Sequence, residues 1–326
     1  MPEPTIPSIE HPHNHRDLVA VLGILGVVVV SVVGFASIGA GGPVDGRVAV
    51  ALAEVVFSGW MPAVYLLGAL GFGGLFGRLG PAVKSNHPLQ AALGVAVTLS
   101  ITHLLGIAGL LNFTTAWTAT AIGILLWVYT LAKNPISIRF ASDRVSWILL
   151  GVLAIGVGLM IVAASSPPGA LWDSEFGAYD SLSYHLQLPK EWIASAQIWP
   201  VEHNVYSYHP GYIESGYTHM ALLGNRPMTL QGAQYFSLLL VLIGAWNCSR
   251  AASQWCGSGS WAAAGPLAAC MVVLTPWIML VGTMSYNESG VIALGAGALV
   301  VASCQDIKPS IRGLLCGVLV AAACSC

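Results

Sequence analysis

The chain is built from long apolar runs separated by short polar breaks, with one conspicuous exception. Crossing a bilayer takes about 20 apolar residues in helix. Runs of that kind fall near 18–39, 48–77, 88–111, 114–132, 144–164, 229–247, 259–282, 287–303 and 311–325. The second is long and rich in glycine (Gly68, Gly71, Gly73, Gly74, Gly77), which predicts a tilted or broken span. The third and fourth are separated by a few residues around Asn112, so they form a helical hairpin. The seventh carries Pro266 and Pro276 and is expected to kink. The exception is 165–228, the one long polar stretch. It holds six of the fourteen acids, four of the nine histidines and six of the ten tyrosines.

Composition fits this pattern. Of 326 residues, 56% are hydrophobic and only 8% charged, and the mean hydropathy is +0.75. A soluble domain needs far more charge to cover its surface. The expected fold class is an all-α polytopic membrane protein of about nine transmembrane helices, with one large loop of short amphipathic helices. A net charge of −2 lacks the basic face that nucleic acid requires. All seven cysteines follow residue 247, several within apolar runs, and read as small packing residues; none lies in the polar loop, so no disulfide staples it.

Residues 1–17 read as a disordered cytoplasmic leader, too polar and followed by too long an apolar run for a cleavable signal. Its alternating His11, His13 and His15 can bind metal but fit a solvated tail. With the N-terminus inside, the inner segments carry nine basic residues (Arg16, Arg78, Lys84, Lys133, Arg139, Arg144, Arg250, Lys308, Arg312) and the outer segments three (Arg47, Lys190, Arg226). The positive-inside rule therefore places loop 165–228 outside the cytoplasm. No ATP is found there, so a substrate has to arrive already activated, most simply on a lipid. The last span is short and stops at Cys326 without a polar tail, which reads as a truncated chain or a bundle that has lost closing helices.

Candidate chemistry gathers in the loop. Asp173, Glu175 and Asp180 lie within eight residues, among Trp172, Phe176, Tyr179 and Tyr184. One reading is a solvated linker with Asp180 capping the next helix. The other is a carboxylate at the membrane surface acting as base or metal ligand, its pKa raised by apolar neighbours. Residues 180–188 suit a short amphipathic helix with Asp180 and Tyr184 on one face and Ser181 and His185 on another. Pro189 fits the first turn of a second helix, Lys190–Ala196, and Trp192, Ile193 and Trp199 suit one lying flat among headgroups. The run 201–212, with Asn204, Tyr206 and His209, has the aromatics and hydrogen-bonding groups that line sugar sites, or is an ordered interfacial loop. Glu202, His203 and His209 match no compact zinc spacing, so no metal is assigned. A helix over 213–223 carries Glu214 and His219 and leads to Arg226. Within the membrane, Glu288 sits at the outer end of the eighth span, where a carboxylate is costly unless it serves a site or is paired. Glu54 and His103 read as helix–helix hydrogen-bonding groups.

Tyr179–Leu186, Pro189–Trp192, Asn204–Ser207, Pro210 and Glu214, with Pro276 and Tyr286–Glu288 further on, resemble the first outer loop and a later stretch of GT-C class membrane glycosyltransferases. These include the dolichyl-phosphate-mannose–protein mannosyltransferases and the lipopolysaccharide-core galacturonosyltransferase-like proteins of bacteria. The resemblance covers roughly 145–305. It implies a GT-C-like region over 144–326 following N-terminal helices 18–143, in a bacterial inner membrane. It also implies a polyprenyl-phosphate sugar donor, a glycan, lipid or protein acceptor, and inverting transfer without a cofactor. The class has its catalytic carboxylate in this loop; Asp180 is the matching position, with Asp173 and Glu175 next. Tyr184, His185, Lys190, Asn204, Tyr206, His209, Glu214, Arg226 and Glu288 are then substrate-binding candidates, Lys190 and Arg226 as cations for the departing phosphate. Two features depart from the family: about five spans precede the loop, where members have one or two, and members continue beyond the point where this chain stops. Two other classes stay open. One is a transporter or flippase, although no internal repeat is evident; the other is a non-catalytic relative acting in membrane assembly.

Overall fold

Lipid offers no partner for backbone N–H and C=O groups, so a chain this apolar is left with helices or a closed barrel. The computed structural model describes residues 14–38, 44–133, 143–167, 171, 179–260 and 262–326, and it is all-helical, with no strand among the described residues. Before the loop come α1 (Asn14–Ile38), α2 (Val44–Gly74), a 3-10 turn (Leu75–Leu79), the single turn α3 (Pro81–Lys84), α4 (His87–Ile107), α5 (Phe113–Lys133) and α6 (Arg144–Ala164). The loop contains a wide π turn (Ser181–His185), α7 (Gln187–Ser195), a 3-10 turn (Val205–Tyr208) and α8 (Tyr212–Gly224). After it come α9 (Leu230–Ser260), α10 (Ala264–Val273), α11 (Pro276–Val281), α12 (Glu288–Ser303) and α13 (Pro309–Cys324).

Among the described residues six helical stretches are long and apolar enough to cross a membrane: Leu18–Ile38, Val48–Leu79, His87–Ile107, Phe113–Lys133, Arg144–Ala164 and Leu230–Cys256. Three of the nine expected spans form shorter apolar helices instead. The span expected over 259–282 is broken where Thr275 turns extended before Pro276, giving α10 and α11. α2 stays continuous through Pro62. The α4–α5 hairpin turns at Asn112, whose side-chain oxygen accepts from the backbone N–H of Thr115 at 3.0 Å. At the start of α6, Asp143 caps the helix by accepting from the N–H and hydroxyl of Ser146.

The glycines of α2 set the packing of the first half. A methyl group at Gly71 would overlap the carbonyl oxygen of Gly123 in α5, and one at Gly73 would overlap that of Gln90 in α4. α2 therefore lies against both members of the hairpin at backbone distance, the small-residue mode of helix association in lipid. α9 is the spine of the second half, packed against α10, α12 and α2. The main core lies where the halves meet and includes Tyr65, Leu93, Tyr217, Phe236 and Leu294, all fully buried. Apolar side chains such as Val30, Phe57, Leu125 and Ile148 face outward, as a lipid-facing surface requires.

Of the described loop residues, those of α7 and α8 are packed into this bundle. α7 has Leu188, Pro189 and Trp192 buried, and the Trp192 indole N–H donates to the carbonyl of Trp199 at 3.0 Å. Trp192 is thus a core residue rather than an interfacial anchor, whereas Trp199 is exposed. In α8 every residue from Ile213 to Leu223 is buried. The helix sits among α4, α5, α2 and α7.

Replacing Gly71 by Ala should lower thermal stability in detergent, by on the order of 1–3 kcal/mol for an overpacked contact. Gly151→Ala, where the added carbon meets nothing within 4 Å, should leave it unchanged. Equal melting points for Gly71→Ala and the parent would contradict the packing described.

Candidate functional site

α8 is held inside the bundle by polar contacts at intervals along its length. The Tyr212 hydroxyl donates to the carbonyl of Ala96 at 2.8 Å and contacts the hydroxyl of Ser100. Ser215 donates to the carbonyl of Leu99 at 3.3 Å. The His219 ring bridges two helices, with Nδ1 2.7 Å from the Thr102 hydroxyl and Nε2 2.8 Å from that of Thr120. A neutral imidazole offers one donor and one acceptor, so two hydroxyls satisfy it. Burial pushes this ring down to about 4, against a smaller opposing hydrogen bond to the Ala116 backbone. Tyr217 reaches the other half of the bundle, 3.2 Å from the Ser237 hydroxyl and donating to the Tyr286 carbonyl at 3.2 Å. The C-terminus of α8 closes on Asn225, whose left-handed backbone (φ 47°) suits a terminating asparagine.

With α8 fixed, Glu214 in its first turn is 3% exposed and bonds through Oε1 to Nδ1 of His185, itself 1% exposed. Two residues that sequence places far apart become a buried acid–imidazole pair. The His185 ring also packs on Tyr184, with centroids 4.1 Å apart, and on Tyr286 at 5.5 Å. Tyr206 stacks on the other side of Tyr184 at 4.3 Å and 16°. His209 approaches Tyr206 at 6.2 Å. The row Tyr206, Tyr184, His185, Tyr286 therefore runs from the loop into the junction between α11 and α12. Asn204 holds the outer part in place, its amide donating to the Ser183 carbonyl at 3.1 Å while its oxygen caps the 3-10 turn at Tyr206 N–H.

Three carboxylates surround this row. Burial, and then the charges of Asp180, Glu214 and Glu288 in that order, push the Tyr184 hydroxyl well above the ordinary tyrosine value. Tyr184 is therefore a proton donor throughout the physiological range. Burial also raises Tyr217, with smaller contributions from Glu214 and Glu288. Asp180 is half-buried. Glu214 and Glu288 each keep one buried oxygen, Oε2, without a hydrogen-bond partner, as do the hydroxyls of Ser181, Ser183 and Ser285. Buried polar atoms are almost always paired, so a set of unpaired acceptors and hydroxyls along one segment and its neighbours points to a ligand.

The structure therefore brings together Asp180, Tyr184, His185, Asn204, Tyr206, Glu214 and Glu288, with His209 at the margin. Asp173 and Glu175 lie outside the described residues. The helix expected over 180–188 is instead a π turn followed by α7, which already begins at Gln187. Five-residue spacing in that turn lets Ser181 accept from Leu186 N–H at 3.1 Å and puts both Tyr184 and His185 toward Glu214. Lys190 and Arg226 do meet, but elsewhere. With Asn225 they line a cavity of about 270 Å³ between α7 and the C-terminal end of α8. Glu214 lies ten positions before Gly224, the last residue of that helix, roughly 15 Å at 1.5 Å per residue, and Arg226 follows the cap. Arg226 also donates to the Phe57 carbonyl at 3.3 Å. Neither cation reaches the carboxylates. Glu54 accepts from Ser58 of its own helix at 2.5 Å, and among the described residues no hydrogen bond joins it to another helix. His103 is tilted against Tyr212 and leaves Nδ1 unpartnered. Tyr286 entered the sequence reading only within the Tyr286–Glu288 stretch and not as a site residue, and Ser285 and Tyr217 were not assigned to the site. No group of three or more metal-ligating side chains is present among the described residues.

No protein-family model, curated protein or solved structure matches the chain. The chemistry of the site is thus the basis for reading it.

Because His219 is neutral when folded down to about 4 but takes a proton near 6.5 when released, the unfolded form binds more protons between those values. Stability contributed by α8 should be intact above about 6.5 and fall as the pH drops toward 4. His219→Gln should flatten that window in detergent melts recorded against pH. Parallel curves for the variant and the parent would reject the assignment.

Proposed function

We propose that the chain is an integral membrane glycosyltransferase that moves a sugar from a polyprenyl-phosphate carrier to an acceptor hydroxyl, with inversion. The observation that carries this reading is the convergence of Asp180, Glu214 and Glu288 on Tyr184, with unpaired buried oxygens on both glutamates. Sugars are bound by carboxylates and amides that accept from ring hydroxyls and by aromatic faces that cover C–H surfaces. The site holds both kinds of group. In this reading Asp180, half-buried and on the segment that carries Tyr184, takes the acceptor proton. The freed oxygen forms a bond to the anomeric carbon as the bond from that carbon to the carrier phosphate breaks, and the phosphate leaves with the electron pair. Tyr184, held protonated, donates to the departing oxygen. Glu214 and Glu288 accept from sugar hydroxyls, and His185 fixes Glu214. Lys190 and Arg226 take no part in this step, because their cavity lies at the other end of α8.

The finer topology belongs to the same proposal. The six long helices, together with α10–α11, α12 and α13, make nine crossings, and the lysine and arginine asymmetry puts the site on the extracytoplasmic face. The carrier then enters from the lipid beside the loop.

One observation favours a second reading. Among the described residues no lysine or arginine lies with the three carboxylates, and a phosphate is poorly served by acids alone. A proton- or cation-coupled transporter would use the same cluster without that difficulty.

The two readings separate experimentally. In nanodiscs with a panel of radiolabelled polyprenyl-phosphate sugars, the parent should transfer label to acceptor. Asp180→Asn should lose about 10²–10⁴-fold in rate while inserting normally. Transfer by Asp180→Asn at the parental rate would reject Asp180 as base. Solute uptake into proteoliposomes without any sugar donor, abolished by Glu214→Gln, would favour the transporter.

A further inference from the structure

At the end of the bundle remote from the loop, α2, α3, α4 and α5 close around a cavity of about 410 Å³. The remoteness follows from the α4–α5 hairpin. Its turn side touches the loop, where Gly106 accepts from Ile198 N–H at 3.1 Å and the Trp117 indole donates to the Leu223 carbonyl at 3.1 Å. The cavity is formed by residues 74–90 and 127–133, about 30 Å away along the 21-residue α4. Arg78, Lys84 and Lys133 all line it, each from a different element, together with His87, Gln90 and Trp127. No acid is in the lining, and among the described residues none of the three cations has a carboxylate within ion-pair distance.

The rim is built rather than fortuitous. Gln90 is 6% exposed and donates to the carbonyls of Val83 and Lys84, both at 2.9 Å, which fastens α3 to the first turn of α4. His87 contacts the Gln90 amide oxygen at 3.3 Å. Asn86 caps α4 by accepting from Leu89 N–H at 3.2 Å. Lys84 is thereby set against Gly77, beside Arg78, with no intervening side chain. Isolated anchoring cations at a membrane edge need only reach water. Three on one half-open cavity repel one another and are stabilised together by a polyvalent anion.

We propose that this cavity binds a phosphomonoester, with the Arg78 guanidinium and the Lys84 and Lys133 ammonium groups holding the phosphate and Trp127 covering the organic part. Its volume lies within the ~300–1,000 Å³ of small-molecule sites, more than a bare phosphate fills. The ligand is either the headgroup of a phosphomonoester lipid reaching in from the bilayer or a soluble phosphate ester. The site is independent of the carboxylate cluster.

The test uses the full chain in detergent and four probes: phosphatidic acid, phosphatidylcholine, glycerol 3-phosphate and inorganic phosphate. Binding is read by native mass spectrometry and by ligand-induced shifts in melting temperature. Phosphatidic acid retained over phosphatidylcholine identifies the lipid source, and saturable binding of glycerol 3-phosphate the soluble one. In either case Arg78→Gln/Lys84→Gln should weaken binding at least tenfold. The matched double variant Arg144→Gln/Arg250→Gln, which removes the same charge from exposed positions elsewhere, should change it less than twofold. Arg78→Lys/Lys84→Arg, which keeps the charge, guards against loss of fold by retaining most of the affinity. Equal losses in the two Gln double variants, or no preference for any phosphate probe over phosphatidylcholine, would overturn the proposal.

Discussion

A thirteen-residue helix is too short to span a bilayer, and one that carries a glutamate, a histidine, a serine, a threonine and two tyrosines cannot rest against lipid. α8 is such a helix, and the whole loop depends on how it is covered. The His219 ring between Thr102 and Thr120, with Ser215 on the Leu99 carbonyl, satisfies its polar groups from α4 and α5. Tyr217 does the same toward Ser237 and the Tyr286 carbonyl. Each of these groups would carry a desolvation penalty of roughly 1–3 kcal/mol if left unpaired in the core. Together they fix the depth and rotation of the helix.

That placement creates the site. Turning α8 so that His219 meets the hairpin brings Glu214 to His185, and the π turn before α7 brings Tyr184 to the same point. The junction between α11 and α12 and the start of α12 add Tyr286 and Glu288 from the second half of the chain. The carboxylates thus come from three separate segments: the loop, the inserted helix and a helix after the spine. Glu214 and His185 are fully enclosed on the α8 side, whereas Asp180 and Glu288 are half-buried.

Much of the helical framework was legible because its signal is local. Runs of about twenty apolar residues, an asparagine between two of them, and a proline within the seventh each act over one or two turns. The same locality explains what was not legible. The polarity of 212–224 reads as surface, because nothing in that stretch records that Thr102 and Thr120 stand ready to pair with it. Trp192 has the composition of an interfacial residue but is buried, since its N–H finds the Trp199 carbonyl seven residues on. Asp180, Tyr184 and Glu288 were recognisable as chemistry, and Glu288 as a partner of the loop. The meeting of His185 with Glu214, 29 residues apart, was not. Lys190 and Arg226, expected as cations beside the carboxylates, line a separate cavity instead, because the length of α8 separates them from the acids. The basic residues at the remote end informed only sidedness until the packing of α2 against the hairpin drew Arg78, Lys84 and Lys133 around one cavity.

The insertion of α8 is most directly measured by hydrogen–deuterium exchange on the unmodified protein in lipid nanodiscs. Peptides covering 213–223 should exchange as slowly as those from the middle of α9, while peptides over 199–209 exchange within seconds to minutes. Exchange over 213–223 as fast as over 199–209 would show that the helix lies outside the bundle, and the carboxylate site would not exist as described.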